Sequence, residues 1–179
     1  MLEVNIAMLL AEIDERPICR LVPYTRELVP IYHAWFQRDP ELLALTASEP
    51  LSLEEEVRNQ QSWVADPNKI TFIILDVESE DRPCGDVNCF INEEEAEVNV
   101  MIAEPQSRRK GIAKTAVLAI MKATKANFAQ VKVFVAKIDR DNWPSRKMFE
   151  SLDFVLVREL DVFNEAHYQR CAESQFQMF

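Results

Sequence analysis

The hexapeptide Arg108-Arg109-Lys110-Gly111-Ile112-Ala113 follows a β-rich run over 98–103 and precedes a stretch with helical periodicity. Gly111 is one of only two glycines in 179 residues, which indicates a position where a side chain would obstruct something. The first turn of a helix carries unpaired backbone N–H groups and a partial positive charge, and the basic residues just upstream strengthen the attraction for an anion. The stretch therefore predicts a phosphate-binding turn between a strand and a helix.

The pattern on both sides of this turn predicts a mixed α/β fold. Apolar residues at helical spacing predict the main helix over 111–127, with Ile112, Ala116, Ile120 and Ala123 on one stripe. Other helices are predicted over 25–36 with Thr25 as N-cap, over 52–63 with a capping box at Ser52, and over 142–152. Strands are predicted over 18–22, 70–77, 85–91, 97–103, 131–138, 154–163 and 167–178. The centre of the chain then has the order β-β-β-α-β-α-β.

The composition predicts a single domain over residues 1–179 that does not span a membrane. Apolar residues make up 48% of the chain, which is enough for a substantial core, and no repeat or Gly/Ser linker divides it. No run approaches the roughly 20 apolar residues that a bilayer span needs. The stretch Met1–Ile6 has an acid at Glu3 and no basic region, so it does not resemble a secretory signal, and we expect a cytoplasmic protein.

Charge and metal-ligand spacing argue against nucleic-acid and metal binding. A formal charge of −10 leaves no dense basic face for a phosphate backbone and mildly favours cationic partners. The acidic runs Glu54–Glu56 and Glu93–Glu95 are typical of solvated faces. The four cysteines form no C-x-x-C pair and the two histidines stand apart, so we expect reduced thiols and no metal site.

The scarcity of glycine excludes two other phosphate-binding families. The Rossmann fingerprint needs three glycines and the P-loop needs two at short spacing, whereas Gly85 and Gly111 lie far apart. A G-x-S-x-G nucleophile elbow is also absent from the sequence.

The remaining pattern of strand, R-x-x-G-x-A and helix resembles the pyrophosphate loop of the GNAT superfamily of acyl-CoA N-acyltransferases. One strand downstream, Asn142-x-x-Ser145-x-x-x-Phe149-Glu150-x-Leu152-x-Phe154 is similar to the superfamily's second cofactor-contacting segment. Four further segments resemble the eukaryotic branch called N-acetyltransferase nine: Leu21–Thr25, Leu45–Leu51, Gly85–Asn88 and Met101–Pro105. The resemblance spans residues 21–154 and implies a GNAT fold, an α/β (α+β) domain with a mixed, mostly antiparallel twisted sheet flanked by helices.

The resemblance implies that acetyl-CoA is the cosubstrate. The residues that would hold its pyrophosphate are Arg108, Arg109, Lys110, Gly111, Ile112, Ala113 and Lys114, and the backbone of Met101, Ile102 and Ala103 would hold its pantetheine arm. The resemblance also implies that Asn142 and Ser145 lie beside that arm. Helix capping explains these last two residues equally well.

The chemistry also needs a base, because an α-amine titrates at about 7.7–8.0 and a lysine amine at about 10.4, so both are mostly protonated at neutral pH. The family's usual base is a carboxylate acting directly or through a water, and Glu97 opens the strand that leads to the loop. A role as one more solvated acidic residue of the adjacent hairpin explains Glu97 equally well. Asp86 and Asn88 point to one side of the preceding strand, where they would either line the acceptor site or face solvent.

Phe149 is the departure from the family, since many members have a tyrosine there that protonates the thiolate. Loss of such an acid costs up to roughly 10²–10⁴ in rate. A thiol with a cysteine-like pKa of about 8.5 nevertheless leaves tolerably without help. Tyr24, Tyr32 and Tyr168 are the residues that could replace the acid.

The sequence thus predicts an N-acetyltransferase for a primary amine, at a protein or peptide N-terminus or on a lysine. Two alternatives stay open. One is a catalytically weak or inactive GNAT domain that binds CoA and a protein partner, which Phe149 and the uncertain base keep open. The other is a polyamine or aminoglycoside acetyltransferase, which would use the acidic surface.

Overall fold

Within the described residues, seven strands form one mixed sheet. The structure is a computed structural model that describes residues 17–46 and 48–173. The strands are β1 (Cys19–Pro23), β2 (Lys69–Asp76), β3 (Arg82–Asn92), β4 (Glu95–Ile102), β5 (Val133–Asp139), β6 (Val155–Leu160) and β7 (Glu165–Cys171). Their spatial order is β1-β2-β3-β4-β5-β7-β6, and every neighbouring pair is antiparallel except the parallel pair β4–β5. This sheet confirms the predicted mixed, mostly antiparallel fold.

Five α-helices cover the two faces of this sheet in the described part of the chain: α1 (Val29–Arg38), α2 (Pro40–Leu45), α3 (Leu53–Ala65), α4 (Ile112–Asn127) and α5 (Trp143–Glu150). Helix α4 packs on the face formed by β1–β4, and its predicted stripe is confirmed because all four of its apolar residues are buried. Helices α1 and α3 pack against each other on the opposite face. None of the helices in the described ranges is both long enough and apolar enough to cross a bilayer.

Strand β2, next to the edge strand β1, shows how one sheet supports two apolar cores. Phe72 and Ile74 join the larger core under α4, whereas Ile73, between them, joins the second core with Trp35 of α1 and Met101 of β4. Alternation of side chains along a strand produces this division. The second core is rich in aromatic residues and ends at the site described below.

Capping residues in the sequence predicted the start of α3 correctly and the start of α1 wrongly. The capping box that opens α3 is confirmed, since the Ser52 Oγ accepts from the Glu55 N–H at 3.3 Å and the Glu55 carboxylate accepts from the Ser52 N–H at 2.8 Å. The prediction of Thr25 as the N-cap of the first helix was wrong. Residues 26–28 form a 3₁₀ turn without a side-chain cap, and α1 begins at Val29 because Pro30 fits only within the first turn of a helix.

The other differences concern element bounds and one short helix. Helix α2 was not predicted, although Asp39 caps it by accepting from the N–H groups of Glu41 and Leu42. Strand β3 begins at Arg82 rather than at residue 85, and β6 and β7 are shorter than predicted. Residues 174–178 of the predicted last strand lie outside the described residues.

Gly85 allows the end of β4 to approach β3 closely. A Cβ at this position would lie 1.9 Å from the carbonyl oxygen of Met101 and 3.0 Å from the Cα of Ile102. The pairing of β2 with β3 also shifts register here, between Ile74 and Leu75. Any side chain at position 85 would therefore displace the segment of β4 that leads to the glycine-containing loop.

Candidate active site

A gap opens in the sheet where β4 and β5 diverge. The two strands are paired only from Glu95 with Val133 to Glu97 with Val135, although β4 continues to Ile102 and β5 to Asp139. Beyond that point the edge of β4 that faces β5 has no strand partner within the described chain. The backbone N–H and C=O groups of an unpaired strand edge can form hydrogen bonds with another extended chain.

The alternation of peptide groups along β4 determines which N–H and C=O groups face this gap. The Met101 carbonyl points at Gly85 and the Ala103 N–H donates to the Cys84 carbonyl at 2.8 Å, so both residues direct those groups toward β3. Alternation then turns the peptide groups of Val100 and Ile102 toward the gap. Of the three residues predicted to hold the pantetheine arm by backbone, Ile102 is the one placed on the open edge.

A cavity of about 470 Å³ fills the gap and continues under α1. This volume falls within the usual range for small-molecule sites, roughly 300–1,000 Å³. Its walls include both predicted acceptor residues, the predicted base and three of the predicted cofactor residues, together with Phe149: Asp86, Asn88, Glu97, Met101, Asn142, Ser145 and Phe149. The residues predicted to hold the pyrophosphate, 108–114, do not line it. The structure thus brings the predicted acceptor residues and the second cofactor segment to one cavity.

The glycine-containing loop leads from β4 into α4 with two residues in the left-handed region. Arg109 has φ of 65° and Gly111 has φ of 87°. A Cβ on Gly111 would lie 3.4 Å from the nearest side-chain atom, Cδ1 of Ile18, so within the protein it is the dihedral angle rather than crowding that favours glycine here. The N–H groups of Ile112, Ala113 and Lys114 precede the first intrahelical bond, from Thr115 to Gly111, which leaves them available to an anion.

The three cations of this loop have different surroundings. The Arg108 guanidinium donates to the carbonyls of Ile102 and Ala103 at 2.9 and 3.2 Å, which braces the end of β4. The Lys110 ammonium is 3.2 Å from carboxylate oxygens of both Asp76 and Glu78. Exposed Arg109 has no hydrogen bond or ion pair among the described residues. Arg109 is therefore the loop cation whose charge is least compensated.

Asp76 anchors the loop to the end of β2. Its fully buried carboxylate accepts from the Ser107 hydroxyl at 2.6 Å and from the Lys110 ammonium at 3.2 Å. Burial acts to raise the pKa of Asp76, but these hydrogen bonds outweigh it and hold the pKa below its usual value. This anchor was not predicted, because nothing local in the sequence connects residue 76 with the loop.

The start of α5 forms the other side of the gap. The Asn142 Oδ1 accepts from the Ser145 N–H at 3.2 Å, so Asn142 caps the helix while both residues also line the cavity. Phe149 lies one turn further along, is 2% exposed and packs edge-on against Phe154 with ring centroids 5.0 Å apart. Asn142 therefore caps α5, and the side chains of Asn142 and Ser145 still lie at the cavity wall.

A row of polar side chains forms the cavity floor on β3 and β4. The Asn88 amide donates to Asp86 Oδ2 at 3.0 Å, and the Asn99 amide is 3.5 Å from both Asn88 Oδ1 and Glu97 Oε1. The row connects the two carboxylates, Asp86 and Glu97. The predicted common side of Asp86 and Asn88 is confirmed, and that side faces the cavity.

Asp86 is a buried carboxyl with altered basicity. It is 3% exposed, and burial raises its pKa to about 6 against opposing contributions from the Asn88 hydrogen bond and the Lys69 ammonium. Glu56 of α3, itself buried, adds to the increase. A carboxyl that titrates near neutrality can accept a proton at physiological pH.

Glu97 has a different environment at the point where the strands separate. Its Oε2 is 2.6 Å from the Nζ of Lys137 on β5, and its side chain is 29% exposed. A second lysine, Lys69, places its Nζ 3.8 Å from the centroid of the Trp63 ring, and burial lowers the pKa of this ammonium. Sequence reasoning missed both lysines, although Lys137 is a charged residue inside the mostly apolar run 133–138.

The tyrosines differ in their access to the cavity. Tyr32 lines it, and its ring centroid lies 5.0 Å from that of Tyr24. The buried Tyr168 hydroxyl accepts from Arg146 and donates to Glu150, each at 2.9 Å, and the Tyr24 hydroxyl is buried without a hydrogen-bond partner among the described residues. Burial raises the pKa of all three tyrosines. Tyr32 is thus the tyrosine positioned to meet a ligand.

Residues 19–155 match the family described as the acetyltransferase (GNAT) domain. The chain is 45% identical over 157 residues to the N-acetyltransferase 9-like protein of Nematostella vectensis, covering 81% of this chain and 78% of that protein. It is also 45% identical over 159 residues to the alpha/beta-tubulin-N-acetyltransferase 9 of Homo sapiens, covering 81% and 76%. A crystal structure of spermidine N-acetyltransferase from Vibrio cholerae, in complex with CoA and spermine, has a similar fold, with a TM-score of 0.76 and 16% identity over 88% of this chain and 97% of that one.

Proposed function

Since this chain belongs to the GNAT family of acyl-CoA-dependent N-acetyltransferases, we propose that it acetylates the amine of a protein or peptide. The observation that supports this most strongly is the continuous cavity between the open edge of β4 and the buried carboxyl of Asp86. A relative at 45% identity has a name that gives tubulin as its substrate. Tubulin is therefore the first protein acceptor to test.

The cofactor-binding side has the features that an extended, anionic cosubstrate requires. Acetyl-CoA supplies an acetyl group activated as a thioester. The Ile102 N–H on the open edge would bind its amide-containing arm, since the Ile102 carbonyl already accepts from Arg108. Asn142 and Ser145 would lie beside the arm. The free N–H groups at the start of α4, from Ile112 to Lys114, and the exposed guanidinium of Arg109 would bind its phosphates.

Proton removal from the acceptor ammonium falls to a carboxylate on the cavity floor. Glu97 is the base predicted from the sequence. Because it is paired with Lys137, the ammonium of the acceptor would have to replace the Lys137 ammonium as its partner. Asp86 is the second candidate, with a buried carboxyl whose pKa of about 6 suits proton transfer at neutral pH. Both carboxylates face the same cavity, so substitution of each decides between them.

The amide side chains of the floor favour an acceptor that carries hydrogen-bonding groups close to its amine. Asn88 and Asn99 lie between the two carboxylates and make only one contact shorter than 3.5 Å between them in this row. A polypeptide N-terminus has a carbonyl and an N–H next to its amine, whereas a lysine amine ends four methylene groups. Sites built to hydrogen-bond reject analogues that lack the partner. We therefore place the α-amine ahead of the lysine amine.

One assay separates this proposal from its alternatives. Thiol release from acetyl-CoA would be measured with an α-tubulin N-terminal peptide, the same peptide with its α-amine blocked and one lysine added, and spermidine. We expect release with the first peptide and little with the second. Selective turnover of spermidine would instead indicate a polyamine enzyme, which the acidic cavity residues would suit. CoA binding without release from any acceptor would indicate a non-catalytic binding domain and contradict the proposal.

A further inference from the structure

Glu104 connects the end of β4 with helix α1. Its Oε1 accepts hydrogen bonds from the Trp35 indole N–H at 2.8 Å and from the Arg38 guanidinium at 2.7 Å. The side chain is 18% exposed, and although burial acts to raise the pKa of Glu104, these two donors hold it below its usual value. Glu104 is thus an ionised residue of the loop that is fixed to a helix on the far side of the cavity.

The same helix forms the aromatic wall of the proposed acceptor site. Tyr32 and Phe36 of α1 both line the cavity, with ring centroids 5.4 Å apart. Trp35, the residue that binds Glu104, is 2% exposed and lies with its ring centroid 5.7 Å from that of Tyr32. Because these rings are in contact and packed, a displacement of Trp35 would also move the wall that faces the acceptor.

A second contact links the loop with the end of this helix. The Arg108 guanidinium, which braces the carbonyls of Ile102 and Ala103, also lies 3.4 Å from the carboxylate of Asp39, directly after α1. The residues at both ends of the segment 104–108 therefore contact α1 or the residue that follows it. The phosphate-binding turn begins within the same segment.

We propose that Glu104 is a positioning residue that couples the two substrate sites. Cosubstrate bound at the loop stabilises the position that Glu104 already occupies, and Glu104 holds Trp35 and Arg38 so that Tyr32 and Phe36 face the acceptor. This inference rests on the proposed function, since it assigns the wall of α1 to the acceptor. Coupling between sites is reciprocal, so the acceptor strengthens cosubstrate binding by the same factor.

The first test uses CoA alone and does not depend on the identity of the acceptor. Hydrogen exchange of the amides of α1 would be measured with and without CoA in the wild type and in Glu104→Ala. We expect CoA to slow exchange in α1 of the wild type by about 5-fold or more, in the range typical of coupled sites. The protection should fall to less than 2-fold in the variant. Equal protection of α1 in both proteins, or none in the wild type, overturns the inference.

The matched control is Glu78→Ala. Glu78 also contacts the loop, through Lys110, but on the β2 side and away from α1. This variant removes a negative charge beside the phosphate-binding turn, so it should bind CoA at least as tightly as the wild type and should still protect α1 when saturated. Glu104→Gln tests the charge, because it retains an acceptor for Trp35 and loses the ionic contact with Arg38, and it should give intermediate protection. Melting curves of each variant establish that the fold is intact.

The second test measures coupling directly. The Kd of the α-tubulin N-terminal peptide would be determined by calorimetry with and without saturating CoA. We expect CoA to tighten peptide binding by about 5-fold or more in the wild type and by less than 2-fold in Glu104→Ala. If the peptide does not bind the wild type, the proposed acceptor is wrong, and the exchange experiment still decides the role of Glu104. If CoA tightens peptide binding equally in both proteins, Glu104 is only a structural contact.

Discussion

The carboxylate of Glu97 and the ammonium of Lys137 form an ion pair of 2.6 Å at the last paired position of β4 and β5. The pair stands where the sheet opens into the cavity, so it lies beside the position that an acceptor amine would enter. A carboxylate that already has a cationic partner can bind the incoming ammonium only by sharing or replacing that partner. We therefore expect the charges at this point to influence both acceptor binding and proton transfer.

Glu97→Gln should lower turnover by about 10²-fold or more if this carboxylate is the base, because general-base catalysis contributes roughly 10²–10⁴. The Kd for acetyl-CoA should stay near the wild-type value, since only proton transfer is affected. Steady-state kinetics and calorimetry measure the two quantities, with Glu93→Gln in the exposed hairpin as control. An unchanged kcat in Glu97→Gln would show that Glu97 is not the base and serves only in the ion pair with Lys137. Asp86 would then be the candidate base.

Asp86→Asn should remove a limb of the pH–rate profile. If Asp86 accepts the proton, kcat/KM of the wild type rises as the carboxyl ionises near pH 6, in addition to the later rise from the amine itself. The variant should lose at least about 10²-fold in kcat/KM at pH 7 and should lack the limb near pH 6. A profile of the same shape in wild type and variant would assign that limb to another group.

The same substitution should stabilise the fold at high pH. The pKa of Asp86 is raised from about 3.9 in a model peptide to about 6 in the folded protein, so the folded state binds the proton more tightly than the unfolded state. Stability from this group is present below pH 4 and is lost as the pH rises through 6. Asp86→Asn should therefore raise the free energy of unfolding at pH 8 by about 1–3 kcal/mol. Urea unfolding at pH 8 and pH 4 measures it, and an equal gain at both values would contradict the burial of a charge as the cause.

Gly111→Val should abolish the rise in melting temperature that acetyl-CoA causes. The branched side chain is strained at a φ of 87° and would also stand at the phosphate-binding turn. Gly111→Asn, which tolerates the left-handed conformation, separates backbone strain from loss of the site. Thermal melts with and without acetyl-CoA provide the measurement.

Charge reversal in the loop should have graded effects on acetyl-CoA binding. Arg109→Glu should weaken it without a change in the melting temperature of the free protein, because Arg109 makes no hydrogen bond or ion pair among the described residues. Arg108→Glu should weaken binding and also lower that melting temperature, since it removes the brace at the end of β4. Arg58→Glu on α3 is the surface control. Unaltered affinity in both loop variants would remove the loop from the cofactor site.

The pH–rate profile of the wild type should rise and then level off toward pH 10, because Phe149 has no proton to give. Phe149→Tyr adds a hydroxyl at the cavity wall and should introduce a falling limb at alkaline pH. A wild-type bell in a protein still folded at pH 10 would show that another residue supplies the proton. Tyr32→Phe is then the first variant to make, since Tyr32 is the tyrosine that lines the cavity.

Local sequence patterns predicted the elements whose causes are local. The stripe of α4 and the capping box of Ser52 depend on residues three or four apart, and both are confirmed. The start of α1 was misplaced because the weight given to Thr25 ignored Pro30. Helix α2 could have been predicted from Asp39-Pro40-Glu41, where a capping acid precedes a proline in the first helical turn.

The site was only partly predictable, because several of its contacts join residues far apart in the chain. The motif around Gly111 and the alternation of Asp86 with Asn88 lie within short segments and could be recognised. The contact of Lys137 with Glu97 depends on where β5 leaves β4, and that position is set by the register of the whole sheet. The contact of Glu104 with Trp35 depends on how α1 packs, which no local periodicity specifies.

The two glycines bear on how this protein can be altered in the laboratory. Gly85 contacts the backbone of Met101, and Gly111 ends the loop that follows it, so the two glycines constrain the same segment, from Met101 to Gly111. Libraries that vary either position should yield few folded, active clones. Several other turns have non-glycine residues at positive φ, including Glu80, Glu93 and Asp153, and each such residue costs roughly 1–2 kcal/mol relative to an unstrained backbone. Glycine introduced at such turns is therefore a route to a more heat-resistant variant that leaves the cavity untouched.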